Sequence, residues 1–231
     1  MTRGLDPKVK MKDSGVEWIG MIPEHWEVKR LKFLTKYFKG FAFSSGDFVD
    51  IGIPIVKASN IKNWQVENIS SYIALSNQKK RFDRFKLSEG DIIISTVGSK
   101  PEIRESAVGQ FAMIDKNFEF SYLNQNTVCI RPYKEIFRSF LKYTFVSNYM
   151  RSNLDSISLW IANQAYLEVE SILEIFITLP SLSEQIAISE YIETVSEKIT
   201  TAISCKQSEI EKLKEYKATL INSAVTGKIK I

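Results

Sequence analysis

Over the first 180 positions the apolar residues fall in short β-branched or aromatic runs: Ile53-Pro54-Ile55-Val56, Asp91-Ile92-Ile93-Ile94-Ser95, Thr127-Val128-Cys129-Ile130 and Ile175-Phe176-Ile177. Clusters of Gly, Asn, Ser and Pro separate them, and this pattern predicts short strands forming a small sheet core. Between the last two runs, Phe137, Phe140, Leu141, Thr144, Phe145 and Asn148 recur at helical spacing and predict one amphipathic helix from Ile136 to Tyr149, laid over a sheet face. Leu31 to Phe38 fits helix and strand spacing equally and stays unassigned. Trp18, Trp26, Gly20 and Pro23 stand within nine residues, which predicts a packed, folded-back loop. Residues 1–13 are polar and basic without periodicity and are expected to be a flexible lead-in, with order beginning near Val16.

After Leu179 the pattern changes. Pro180 ends the last strand, and Ser181-Leu182-Ser183-Glu184 is a capping box, in which a hydroxyl and a carboxylate satisfy the orphan N–H groups of a helix start. From there Ser196, Ile199, Ile203, Lys206, Ile210, Leu213, Lys217, Leu220 and Ala224 step by alternating threes and fours, the seam spacing of a left-handed coiled coil. Gly227 stands where a left-handed C-cap is needed. About forty helical residues would span roughly 60 Å, which implies a partner for the seam. The expected class is therefore α+β. A mixed globular head with a small β-sheet core (14–180) precedes one long coiled-coil helix (181–226) and a short tail (227–231).

Charge sharpens this division. Residues 181–231 carry seven Lys/Arg and seven Asp/Glu, so the net +4 of the chain resides in the head. Residues 57–104 alone hold nine basic against five acidic side chains, the electrostatic footprint expected of a surface for a phosphate backbone. No apolar run reaches the roughly 18 residues of a membrane span, and Arg3, Lys8, Lys10 and Lys12 are followed by no signal-peptide core, so a cytoplasmic location without membrane contact is expected. Cys129 and Cys205 lack metal-ligand spacing and read as reduced thiols.

The chemistry of common enzymes is not evident. The single histidine, His25, sits in a Trp/Pro loop and reads as a packing or hydrogen-bonding residue, and neither phosphate-binding glycine motif is present. Asp91 with Glu102-Ile103-Arg104 is the nearest approach to a nuclease site, but Asp91 reads better as closing the turn Ser88-Glu89-Gly90-Asp91. Neither a catalytic residue nor a metal site is expected. Loop clusters of hydrogen-bonding residues remain, placed so as to pair with base edges or phosphates: Lys57, Ser59, Asn60, Lys62 and Asn63; Gln78, Lys79, Lys80 and Arg81; Ser99, Lys100 and Arg104; Asn124 and Gln125; Asn163 and Gln164. From residues alone, a DNA-binding protein, a stand-alone DNA-modifying enzyme and a coiled-coil scaffold all stay open.

Several segments resemble the DNA-specificity (S) subunits of type I restriction-modification systems. Ser14 to Lys32 is similar to that family's N-terminal signature. Gly52 to Ile61, Gly90 to Ser95, and Gln164 with Tyr166-Leu167 resemble landmarks of its target recognition domain. Leu179 to Ile188 and Ala224 to Lys228 resemble the two ends of its spacer helix. The resemblance implies sequence-specific recognition of double-stranded DNA by the head, without catalysis. It implies methyltransferase partners that carry S-adenosylmethionine and a restriction partner that carries ATP and magnesium, with no cofactor in this chain. Members of the family usually carry two recognition domains and two spacer helices, each domain reading half of a split site. With one of each here, the expectation is an antiparallel homodimer through the seam residues Ile199, Ile203, Lys206, Ile210, Leu213, Lys217 and Leu220.

Overall fold

The computed structural model describes residues 8–74, 80–100, 103, 108–161 and 163–229. The chain divides into two compact units, Met1–Ile186 and Ala187–Ile231.

The first unit is built on a four-stranded antiparallel sheet in the order Phe111–Met113, Ile92–Ser95, Thr127–Pro132, Thr35–Lys39. Ile92-Ile93-Ile94 is a continuous apolar run without polar alternation, and accordingly both faces of that strand are buried. Ile93, Ala112, Cys129 and Phe38 stand opposite one another on one face and join Val56, Ile61, Leu87 and Leu123 in one core. Burial there pushes the Cys129 thiol pKa well up. A second sheet orders Tyr122–Leu123, Ile53–Val56, Tyr72–Ile73 and Phe48–Val49, the first pair parallel. Its core is aromatic, with Phe41, Phe43, Phe82 and Tyr122 packed edge-to-face or tilted at centroid distances of 5.0–6.3 Å.

The four predicted strands all form, but they are shared among three sheets, because Phe176–Leu179 pairs with Glu27–Arg30. Leu31 to Phe38 resolves into a 3₁₀ turn, Leu31–Phe33, and a strand of the central sheet, Thr35–Lys39. Order begins earlier than the sequence suggests: Met11–Asp13 is a strand paired with Met21–Pro23, which folds the intervening segment back on itself.

The single helix expected from Ile136 to Tyr149 is two helices, α1 (Arg138–Val146) and α2 (Asn148–Ser156). Ser147 takes extended backbone angles between them, and its Oγ accepts from the Met150 N–H at 3.2 Å, capping α2. Helical spacing continues through the break, which is why periodicity alone misses it. The buried face of α1 is as expected, with Phe140, Leu141 and Phe145 inside and Phe145 5.4 Å from Phe111 of the sheet edge. A short α3 (Val169–Leu173) follows.

Helix α4 (Leu182–Val225) is 44 residues long, about 66 Å at the usual rise. The capping box is realised: the Ser181 N–H and Oγ–H donate to Glu184 Oε2 at 3.1 and 2.7 Å, and the Glu184 N–H donates to Ser181 Oγ at 3.4 Å. At the other end Gly227 has φ +70°, its N–H donates to Ala224 O and that of Lys228 to Ser223 O, the paired bonds of a Schellman cap. The head extends beyond the Pro180 boundary read from sequence, through the first turn of α4. The Gln185 side chain is buried, accepting from the Phe137 N–H and donating to the carbonyls of Glu135 and Pro180.

Candidate nucleic-acid interface

Leu159–Ile161, Gln164–Tyr166 and Val97–Gly98 form a three-stranded antiparallel sheet in that order, with Ile161 opposite Gln164 and Gly98 opposite Ala165. Leu, Trp, Ile, Tyr and Val suit extended backbone, and Asn163 lies in the tight connection. The register sets Ser99 and Lys100, just past the end of Val97–Gly98, beside the hairpin. Lys100 Nζ lies 4.1 Å from the centroid of the Trp160 ring. The Tyr166 hydroxyl donates to Gln164 Oε1 at 2.9 Å, which orients that exposed amide.

A second segment closes on this sheet. The Asn124 N–H donates to Val56 O, the Gln125 N–H to Phe41 O and the Thr96 N–H to Asn126 O, each at 2.9 Å. Asn126 takes φ +63°, a left-handed turn that asparagine tolerates. Gly40 permits the approach: a Cβ there would stand 1.7 Å from Asn124 O. A groove of about 560 Å³ results, bordered by Gln125, Asn126, Leu159, Ile161 and Tyr166. Lys57, next to Val56, holds its Nζ 4.6 Å from the Phe48 ring. Backbone pairing thus links Lys57, Gln125, Ser99, Lys100, Asn163 and Gln164, although up to 107 residues separate them in sequence.

Other candidates are placed differently. Asn60 is 5% exposed and wholly engaged inside the head: Oδ1 accepts from the Lys57 N–H, and Nδ2 donates to the carbonyls of Glu67 and Asn68. Its amide ties a loop and is not presented to a ligand, because all of its partners are backbone groups that would otherwise be unsatisfied. The Asn124 side-chain oxygen is buried with no hydrogen-bond partner among the described residues, so that atom faces inward although the residue is only half-buried. Ser59 is exposed on the 3₁₀ turn Ala58–Asn60. Lys62 and Asn63 are exposed on the hairpin Ile61–Lys62/Gln65–Val66, which is laid along the Phe111–Met113 edge by the Met113 N–H donating to Trp64 O. Asn63 and Trp64 take φ +48° and +64°, the positive angles of a two-residue hairpin turn. Gln78, Lys79 and Arg104 lie outside the described residues; Lys80 and Arg81 begin a 3₁₀ helix, Lys80–Phe85, and their side chains lie outside the description too. Phe48 and Trp160 are absent from the sequence-based set, since an aromatic residue in a strand-like run carries no signal that it faces solvent.

The acidic residues serve structure. Asp91 is 1% exposed and accepts from Arg131 Nε and Nη2 at 2.7 Å each and from the Ser88 N–H at 2.7 Å, closing the Ser88–Asp91 turn as its sequence suggests. His25 Nε2 and Trp26 Nε1 lie 2.7 and 3.2 Å from Glu184 Oε1, joining the N-terminal loop to the first turn of α4. Burial alone would raise the Glu184 pKa, but hydrogen bonds from His25, Ser181 and Trp26 outweigh it and hold the carboxyl at about 2. Among the described residues, no three His, Cys, Asp or Glu are grouped to hold a metal, and no helix is long and apolar enough to cross a membrane.

The model of the type I restriction modification DNA specificity domain matches residues 23–212, taking in the central sheet, the candidate interface and most of α4. The chain belongs to that family. Among relatives of this specificity-domain chain, the MjaVIII specificity subunit of Methanocaldococcus jannaschii is 27% identical over 92% of this chain and 48% of its own length. The EcoKI specificity subunit of Escherichia coli is 27% identical over 91% of this chain and 44% of its own. The chain therefore spans about half the length of the curated relatives it matches. Among solved structures, a chain from a study of the assembly and conformational transition of the type I R-M system superposes with a TM-score of 0.68 at 17% identity, covering 93% of this chain and 48% of that one. The HsdS subunit of Thermoanaerobacter tengcongensis gives 0.58 at 17% identity, over 83% and 41%. These likenesses establish the α+β fold of a specificity subunit, a strand-rich head followed by a long helix.

Proposed function

We propose that this chain is a DNA-reading component of a type I restriction-modification complex and supplies recognition rather than catalysis. The observation that carries the reading is the family match across both the head and the helix. The basic excess of residues 57–104 suits a phosphate backbone, and the exposed amides of Gln125, Asn163 and Gln164 suit adenine edges in a major groove. Its partners are methyltransferase subunits, which hold S-adenosylmethionine, and a restriction subunit, which holds ATP and magnesium. They meet in the cytoplasm, where the DNA is.

Helix α4 carries the second half of the proposal. Ile199, Ile203, Ile210, Leu213 and Leu220 are 40–66% exposed at coiled-coil spacing, which favours a helical partner that buries them. We take that partner to be the same helix of a second copy, antiparallel, so that two heads read inverted half-sites separated by an unspecified gap. Lys206, which pairs with Glu209 at 2.9 Å, and Lys217 interrupt the seam and would set its register. The test is selection from a randomised duplex library by the full chain with its methyltransferase partner. Enrichment of two inverted motifs at fixed spacing is expected; enrichment of no motif would overturn the DNA reading, and a single motif together with a monomeric mass by light scattering would overturn the pairing.

A further inference from the structure

Cations of the head differ in what holds them. Arg30 and Lys32 share Glu174 at 2.6 Å, Arg131 is bound to Asp91, Arg138 to Glu89, Lys10 to Glu24 and Arg151 to Asp155. Each of these cations is engaged by a carboxylate within the fold, and a phosphate would have to compete with that carboxylate to use it. Lys57 and Lys100 are different. Each lies over an aromatic ring that is not its immediate sequence neighbour, Phe48 nine positions from Lys57 and Trp160 sixty from Lys100, and neither forms an ion pair among the described residues. A ring face attracts an ammonium through its quadrupole without cancelling its charge, and leaves the N–H groups directed away from the ring free to donate. It also removes part of the rotamer freedom that a lysine otherwise loses when it binds. Among the described residues, the remaining cation–π pairs in the head involve either a sequence neighbour, as in Arg84 over Phe85 and Lys142 over Tyr143, or a cation that a carboxylate already holds, as in Arg30 over Phe176 and Arg131 over Phe38. Lys57 and Lys100 both flank the stretch of paired backbone that links Val56, Asn124, Asn126 and Thr96.

We infer that Lys57 and Lys100 are phosphate-binding residues and that Phe48 and Trp160 are their positioning residues, each ring holding an uncancelled ammonium ready for the DNA backbone. Phosphate contacts fix orientation and carry no base information, so these four residues govern affinity and its salt dependence while leaving sequence preference alone. The inference rests on the DNA-reading function proposed above.

It is tested by titrating the full chain and its variants with duplex DNA over a range of salt concentrations. Lys57→Ala and Lys100→Ala should each lower the slope of log affinity against log salt by about 0.9 per head. Trp160→Ala should weaken binding about two- to five-fold with the slope kept, because the lysine remains but is no longer held, and Trp160→Phe should restore most of the loss. Phe48→Leu, which keeps apolar volume but removes the ring, should behave like Trp160→Ala. Thermal melting of each variant separates these effects from loss of fold. An unchanged slope for Lys100→Ala, unchanged affinity for Trp160→Ala, or no rescue by Trp160→Phe overturns the inference while the DNA-reading function stands. Failure of the unaltered chain to bind any duplex in a salt-dependent manner overturns both.

Discussion

Replacing Asp91 with Ala removes the partner of a guanidinium that cannot lose its charge. Asp91 is 1% exposed and Arg131 26% exposed at the side chain, and two hydrogen bonds of 2.7 Å join them. The same carboxylate also satisfies the Ser88 N–H. Breaking a buried pair on one side costs about 3–5 kcal/mol, since the remaining charge is left unpaired. Arg131 is a quarter exposed and still donates to Lys86 O, so water and that carbonyl recover part of the loss and the expected cost is about 3 kcal/mol. On the usual scale for domains of this size, that lowers the melting temperature by about 6–12 °C. Tryptophan fluorescence is the suitable probe, because all four tryptophans, Trp18, Trp26, Trp64 and Trp160, lie in the head. Asp91→Leu combined with Arg131→Met, which removes both charges, should recover much of the loss. A melting temperature within about 2 °C of the parent for Asp91→Ala, less than 1 kcal/mol on that scale, would refute this account, as would a double variant no more stable than Asp91→Ala.

Glu184, held near pKa 2 against an ordinary 4.5, binds its partners best when ionised. Its contribution is therefore complete above pH 4.5 and is lost as the pH falls from there towards 2; the shift corresponds to about 3 kcal/mol, reduced by solvent screening to about 1–2 kcal/mol for a carboxylate a third exposed. Glu184→Gln should flatten the acid limb of a stability-against-pH curve in that window. Gly40→Ala should cost about 1–3 kcal/mol in a urea titration, because a methyl 1.7 Å from Asn124 O forces the Asn124–Asn126 segment away. Ser147→Ala removes the cap of α2 and should cost about 1 kcal/mol in the same titration, with Ser147→Asp retaining most of it.

Elements whose bonding is local are mostly legible in the sequence, and those whose bonding is not local are mostly not. Continuous apolar runs such as Ile92-Ile93-Ile94 are legible because nothing but a buried strand suits them, and the capping box at Ser181–Glu184 and the cap at Gly227 are legible because their bonding is local. The break at Ser147 is not legible, since α1 and α2 keep apolar residues in compatible phase on either side. Asn60 and Gln164 look alike in a sequence, as amides in polar loops. One is enclosed by three backbone groups and the other stands exposed beside Tyr166, a difference that arises from partners supplied by packing.

From sequence alone, then, came the α+β class, the division between basic head and neutral helix, the ends and seam spacing of that helix, and a family resemblance borne by residues at both ends of the chain. These properties depend on neighbours within a few positions, or on composition, and a linear reading captures both. Tertiary structure decided how the strands are shared among sheets, which amides are spent on the fold, and that Lys57 and Lys100 lie over aromatic rings while Arg131 and Lys32 face carboxylates. Each of those outcomes turns on a partner that packing brings close, from 3 positions away for Asn60 and the Lys57 N–H to 152 for Leu179 and Glu27, and the identity of a residue does not disclose what will lie beside it.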